Sequence, residues 1–192
     1  MITDRSYREF SNNAYNIEKD KKKYRVGEGL KVLEKQYKIL ALEDNQNNGM
    51  QAMAIAPVND RGKVDTSKIV IAYAGTRFSD SRDRDTDWQQ VVKGSMGDVI
   101  VDTSKKSTQI TTKNQLQTAK EFADEILKKY PSSLISITGH SLGGYLAVFV
   151  AAKYGWAATV FNAPDASNAL SEKEIEWVLK NRDLIVNYRN PR

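Results

Sequence analysis

Leu134-Ile135-Ser136-Ile137-Thr138-Gly139-His140-Ser141-Leu142-Gly143-Gly144-Tyr145 is the stretch that decides the fold. It holds the pattern G-x-S-x-G between an apolar, strand-like run at residues 134–138 and an Ala-rich, helix-like run that continues to Lys153. In that setting the pattern reads as a nucleophile elbow, a strand that turns sharply into a helix with a serine at the turn. A serine hydroxyl is a weak nucleophile and has to be presented in the open, beside a base. The turn does the presenting, in a strained backbone conformation. Side chains two before and two after the serine would collide there, which calls for Gly139 and Gly143. Gly144 and Ala147 let the following helix lie close to the sheet. Ser141 is therefore the expected nucleophile. The N–H of Leu142, at the positive end of the helix, is placed to hold the negative oxygen that forms after attack.

Outward from the elbow the chain alternates between strand and helix. Ile69-Val70-Ile71-Ala72-Tyr73-Ala74 is apolar and rich in β-branched residues, as a strand buried on both faces requires. Residues 114–130 place Leu116, Ala119, Phe122, Ala123, Ile126, Leu127 and Tyr130 on one helical face, and Pro131 ends it. Helix 142–154, strand 157–161, helix 172–180 and strand 183–188 follow. Upstream, 36–43 and 50–56 read as strands joined through Asn45-Gln46-Asn47-Asn48-Gly49. A short helical stretch falls near Trp88 to Val92. Residues 4–19 read as a helix with Tyr7, Phe10, Ala14 and Ile17 on one stripe. Alternation with short links makes crossovers and a mainly parallel sheet. The expected fold class is α/β, with helices on both faces of the sheet. One domain spans residues 1–192, and residues 1–35 form an N-terminal helical extension able to cover the sheet.

Composition narrows the function classes. Hydrophobic content of 40% against 28% charged residues is that of a soluble globular protein. No apolar run is long enough to span a bilayer, and the polar N-terminus has no apolar leader region. The expected location is cytoplasmic, or outside the cell by a leaderless export route. Cysteine is absent, so disulfides, thiolate zinc sites and a cysteine nucleophile are excluded. A net charge of +5 gives a mildly basic surface that an anionic membrane would attract, while nothing resembles a nucleic-acid-binding pattern. Asp83-x-Asp85-x-Asp87, with Asp80 nearby, starts like a calcium loop. Trp88 and Gly94 stand where such a loop needs Gly and Glu, and Arg77, Arg82 and Arg84 interleave with the acids. The reading is a solvated loop with no metal.

Two blocks together carry a family resemblance. Gly139-His140-Ser141-Leu142-Gly143-Gly144 resembles the elbow of the class 3 lipases, a branch of the α/β-hydrolases. Val70-Ile71-Ala72-Tyr73-Ala74-Gly75-Thr76, followed by Asp87-Trp88, resembles the same family's upstream block. Phe161-Asn162-Ala163-Pro164 is similar to the end of the strand after the elbow helix in these lipases. The resemblance covers about residues 35 to 192. It implies a serine-dependent hydrolase of carboxylic esters, of the lipase or phospholipase kind, working without a cofactor on a lipid or acyl ester. It also implies that Thr76 supplies the second oxyanion donor through its N–H. Phe78 and Trp88, in loops near the expected strand ends, are the candidates for contact with an acyl chain. The family includes enzymes that bacteria export without a conventional leader, which makes a secreted lipase effector one expectation.

The partners of the serine are the gap. His140 is the chain's single histidine. It is the immediate neighbour of Ser141, and its side chain should leave the turn in another direction, so it is expected to pack beneath the elbow. In α/β-hydrolases the order along the chain is nucleophile, acid, histidine, and no histidine follows Ser141. The resemblance puts the acid after strand 183–188, close to Arg192. Asp165, after the preceding strand, is the runner-up acid, and Asp183 precedes its strand. The expectation is an incomplete α/β-hydrolase, truncated at the C-terminus, lacking acid and base and showing little hydrolysis by itself. A C-terminal segment or a partner chain would complete it. The alternative is a non-catalytic α/β-hydrolase module that binds a lipid or protein partner. A thioesterase or peptidase on the same elbow is a third reading.

Overall fold

Alternation within strands builds two cores, one on each face of a single sheet. In the computed structural model, which describes residues 2–17, 24–75, 99–100, 111–112 and 114–189, the strands are β1 (Gly29–Val32), β2 (Lys35–Asp44), β3 (Gln51–Pro57), β4 (Lys68–Tyr73), β5 (Val99–Ile100), β6 (Thr111–Thr112), β7 (Leu134–His140), β8 (Ala157–Phe161) and β9 (Ile185–Tyr188). The helices are α1 (Asp4–Ala14), α2 (Gln115–Lys129), α3 (Leu142–Tyr154) and α4 (Glu172–Lys180). The main sheet runs β1-β2-β3-β4-β7-β8-β9, and β5 pairs with β6 in a second sheet. Pairings from β1 to β4 are antiparallel, and those from β4 to β9 are parallel. The fold is α/β, and the parallel half is the one that carries the elbow.

Ile69, Ile71 and Tyr73 of β4, with Ile135 and Ile137 of β7, face a core shared with α2 and α3. Val70, Ala72 and Ala74 face the opposite core, shared with Phe10 and Ala14 of α1. Helices therefore cover both faces. α3 is apolar on all sides, as expected for a helix buried between a sheet and other helices. Its C-terminus closes on Gly155 in the left-handed conformation (φ 69°). At the sheet's front, β1 and β2 form a hairpin that the sequence pattern did not announce.

α1 is held to β7 by polar contacts as well as by its apolar stripe. Thr3 caps its start, accepting a hydrogen bond from the Ser6 N–H. The Tyr7 hydroxyl donates to Ser136 Oγ at 2.8 Å. The single proton of the Thr138 hydroxyl is shared between the Thr159 carbonyl at 2.7 Å and the Tyr7 carbonyl at 3.2 Å. The helix expected over residues 4–19 closes at Ala14. Asn16 and Ile17 instead donate to carbonyls three residues back, a tighter turn that ends the α-helix.

Candidate active site

Ser141 is the single residue between β7 and α3, with φ 55° and ψ −123°. A non-glycine residue held there stores on the order of 1–3 kcal/mol and persists only when its surroundings fix it. Two backbone bonds do the fixing. The Ser141 N–H donates to the Phe161 carbonyl at 3.0 Å, and its carbonyl accepts from the Tyr145 N–H at 3.1 Å. The glycines on either side sit where backbones touch. A Cβ on Gly139 would lie 2.2 Å from the Gly143 carbonyl oxygen, and one on Gly143 would lie 2.3 Å from the Tyr73 carbonyl oxygen. A Cβ on Gly144 would meet Ala163 Cβ at 2.6 Å, which sets how closely α3 approaches β8.

Ser141 is half-buried, and its hydroxyl does not cap the helix. Leu142 opens α3, so its N–H has no carbonyl four residues earlier within the helix. Beside it, Gly75 ends the run from β4. A Cβ at Gly75 would stand 2.6 Å from the His140 carbonyl oxygen and 2.4 Å from the Tyr15 hydroxyl. The chain therefore leaves β4 hard against the elbow. Thr76, Phe78, Trp88, the aspartates Asp80 to Asp87 and the helical stretch expected near Trp88 to Val92 lie outside the described residues.

His140 sits on the α1 face of the sheet. Its Nδ1 is 2.9 Å from the Tyr15 hydroxyl, which also donates to the His140 carbonyl at 3.4 Å. Its Nε2 is 3.5 Å from the Asn162 side-chain amide. Both ring nitrogens thus have partners other than Ser141. Burial, and then the charge of Arg8, push the imidazole pKa below its ordinary value, which favours the neutral ring. Asp165 is exposed on the loop after β8. Its two oxygens accept from the Ser167 N–H and hydroxyl, both at 2.9 Å. Among the described residues it makes no hydrogen bond with His140. Asp183 is exposed in the turn before β9.

Tyr15 and Asn162 are the residues at this site that sequence reasoning missed. Tyr15 follows directly on the apolar stripe of α1, the one local hint that it faces the sheet. Asn162 adopts a left-handed conformation (φ 49°) at the end of β8, a habit of asparagine in tight turns. Nothing local ties either residue to His140.

With this geometry in place, comparison with known proteins adds a family. A model described as a Tle-like phospholipase domain, of the phospholipase-like group, matches residues 7–181. No curated protein matches the chain. Fourteen chains among solved structures do. One is a mutant form of MDLA from Penicillium cyclopium, with 13% identity, a TM-score of 0.49, and coverage of 97% of this chain and 68% of that one. Another is the native Rhizomucor miehei lipase propeptide complex, with 15% identity, a TM-score of 0.46, and coverage of 96% and 58%. A third is a fungal lipase–inhibitor complex, with 18% identity, a TM-score of 0.45, and coverage of 81% and 58%. The chain thus spans 58% of the length of the last two.

Proposed function

The chain belongs to the family of Tle-like phospholipase domains, and from that premise we propose that it carries the nucleophile half of a serine-dependent phospholipase. It is a phospholipase-like hydrolase domain. The observation that carries the finer reading is the strained, glycine-flanked turn at Ser141, which lifts one hydroxyl between a strand and the N-terminus of a buried helix.

In this reading Ser141 Oγ attacks the carbonyl carbon of a lipid ester. The oxyanion forms against the Leu142 N–H, with the Thr76 N–H as second donor. A base takes the serine proton and returns it to the leaving alcohol, and water then releases the acyl group. His140 does not serve as that base, because its ring is turned to Tyr15 and Asn162. His140 is the single histidine of the sequence, so a histidine base has to be supplied by a further segment or a partner chain. Phe78 and Trp88 are the candidates for contact with the acyl chain, and the protein works at a membrane surface without a cofactor.

The test is hydrolysis of phospholipid vesicles by the protein expressed from its intact gene. Ser141→Ala lowers the rate by several powers of ten while thermal unfolding stays unchanged. The same orientation of His140 favours a second reading, a module that binds lipid without cleaving it. That reading requires vesicle binding with no hydrolysis by the intact protein and no effect of Ser141→Ala.

A further inference from the structure

A cleft of about 520 Å³ opens between α1 and the carboxyl ends of β7, β8 and β9. Arg5 and Arg8 line it from one face of α1, and Arg189 lines it from just beyond β9. We propose that this cleft binds a phosphate group, held by the guanidinium groups of Arg5, Arg8 and Arg189.

The charge balance of the cleft carries the argument. Three guanidinium groups face one carboxylate, that of Asp4. That carboxylate is already engaged by the Tyr188 hydroxyl. Among the described residues, neither Arg5 nor Arg8 has a carboxylate within ion-pair distance. Arg189 donates one long bond, at 3.5 Å, to the Ala163 carbonyl. Three guanidinium groups with no ion-paired carboxylate among the described residues repel each other in one concave site, and an anion relieves that repulsion. Inorganic phosphate or a monoester offers each guanidinium its own terminal oxygen, and a phosphodiester still sets two terminal and two ester oxygens tetrahedrally, where a carboxylate has only two oxygens in one plane. The volume lies in the range of small-molecule sites, enough for a phosphate and the group esterified to it.

The cleft also adjoins the elbow. His140 and Phe161 both line it. His140 is the chain neighbour of Ser141, and the Phe161 carbonyl accepts the Ser141 N–H. A phosphate held there belongs to the same substrate as the ester at Ser141; that link rests on the proposed function, whereas phosphate binding itself does not.

The experiment uses the 192-residue chain and the imidazole resonances of His140, its only histidine, as a reporter inside the cleft. Inorganic phosphate and glycerophosphocholine are titrated at fixed pH, with acetate as the planar control. Both phosphates should shift the resonances saturably, and acetate should bind at least about tenfold more weakly. Arg5→Gln, Arg8→Gln and Arg189→Gln should each weaken phosphate about tenfold or more, read from the saturation midpoint. Arg182→Gln, exposed and outside the cleft, should leave the midpoint unchanged. Tighter binding of glycerophosphocholine than of inorganic phosphate assigns the site to a lipid headgroup, and the reverse assigns it to free phosphate. Midpoints unchanged by the cleft arginines, or acetate binding as tightly as phosphate, overturn the proposal. Ser141→Ala should bind phosphate normally. Loss of hydrolysis in Ser141→Ala of the protein expressed from its intact gene, with unchanged phosphate midpoints in the arginine variants, sinks only this proposal. Arginine-dependent binding with hydrolysis untouched by Ser141→Ala sinks only the nucleophile reading.

Discussion

Gly75, Gly139 and Gly143 bring three stretches of backbone together at one point beneath Ser141. A methyl group at Gly143 has to displace the Tyr73 carbonyl, which is sheet backbone and does not yield as a side-chain tip would. Gly143→Ala should therefore cost about 3 kcal/mol, the upper end for overpacking, measured by urea unfolding. Gly29→Ala, where nothing lies within 4 Å of the new Cβ, should stay within about 0.5 kcal/mol. His140 supplies a second test at this scale. Its pKa lies below the unfolded value because of burial first and the charge of Arg8 second. Arg8→Gln should raise it, as followed by NMR titration. The sign for stability follows from proton binding. The unfolded state takes up the proton first as pH falls, so this contribution is full above about pH 6.5 and declines as pH drops from there toward the folded pKa. His140→Gln should flatten the urea midpoint against pH in that window.

At the scale of elements, α1 is part of the elbow's foundation. Phe10 is fully buried against Tyr37, with ring centroids 4.8 Å apart, and Tyr15 reaches the elbow from the helix end. Phe10→Ala should cost about 3–5 kcal/mol by equilibrium unfolding. Tyr15→Phe should cost about 1 kcal/mol for the lost hydrogen bond and slow reaction at Ser141 through the loosened elbow, without changing vesicle binding. The elements most legible in the sequence were those with a period to read. The stripe of α1, the face of α2 and the apolar run of β4 each announced themselves. The elbow was legible because its glycines are a steric necessity. β1 was not, for a local reason: its hairpin turns through Leu33 and Glu34, with Leu33 at φ 53°, where a glycine or asparagine signal is usual. The arginine cleft was hidden for a different reason. Residues 5, 8, 140 and 189 meet only because β9 lies two strands from β7 and α1 crosses that face, and no local pattern encodes such a meeting.

The whole molecule divides along its sheet. Antiparallel β1 to β3 form the front, and parallel β4, β7, β8 and β9 form the half that carries the elbow and the cleft. β4 and β7 are covered by helices on both faces, whereas β1 and β9 are the outer strands of the described sheet. Native-state hydrogen exchange should be slowest in β4 and β7 and fastest in β1 and β9; uniform protection would contradict a core centred on the elbow strand. The reading of Ser141 as the nucleophile of a phospholipase stands or falls on the rate of phospholipid hydrolysis for the intact protein and its Ser141→Ala variant, both shown to be folded. The expected result is hydrolysis that disappears with the serine hydroxyl; hydrolysis at an equal rate in both proteins would contradict it.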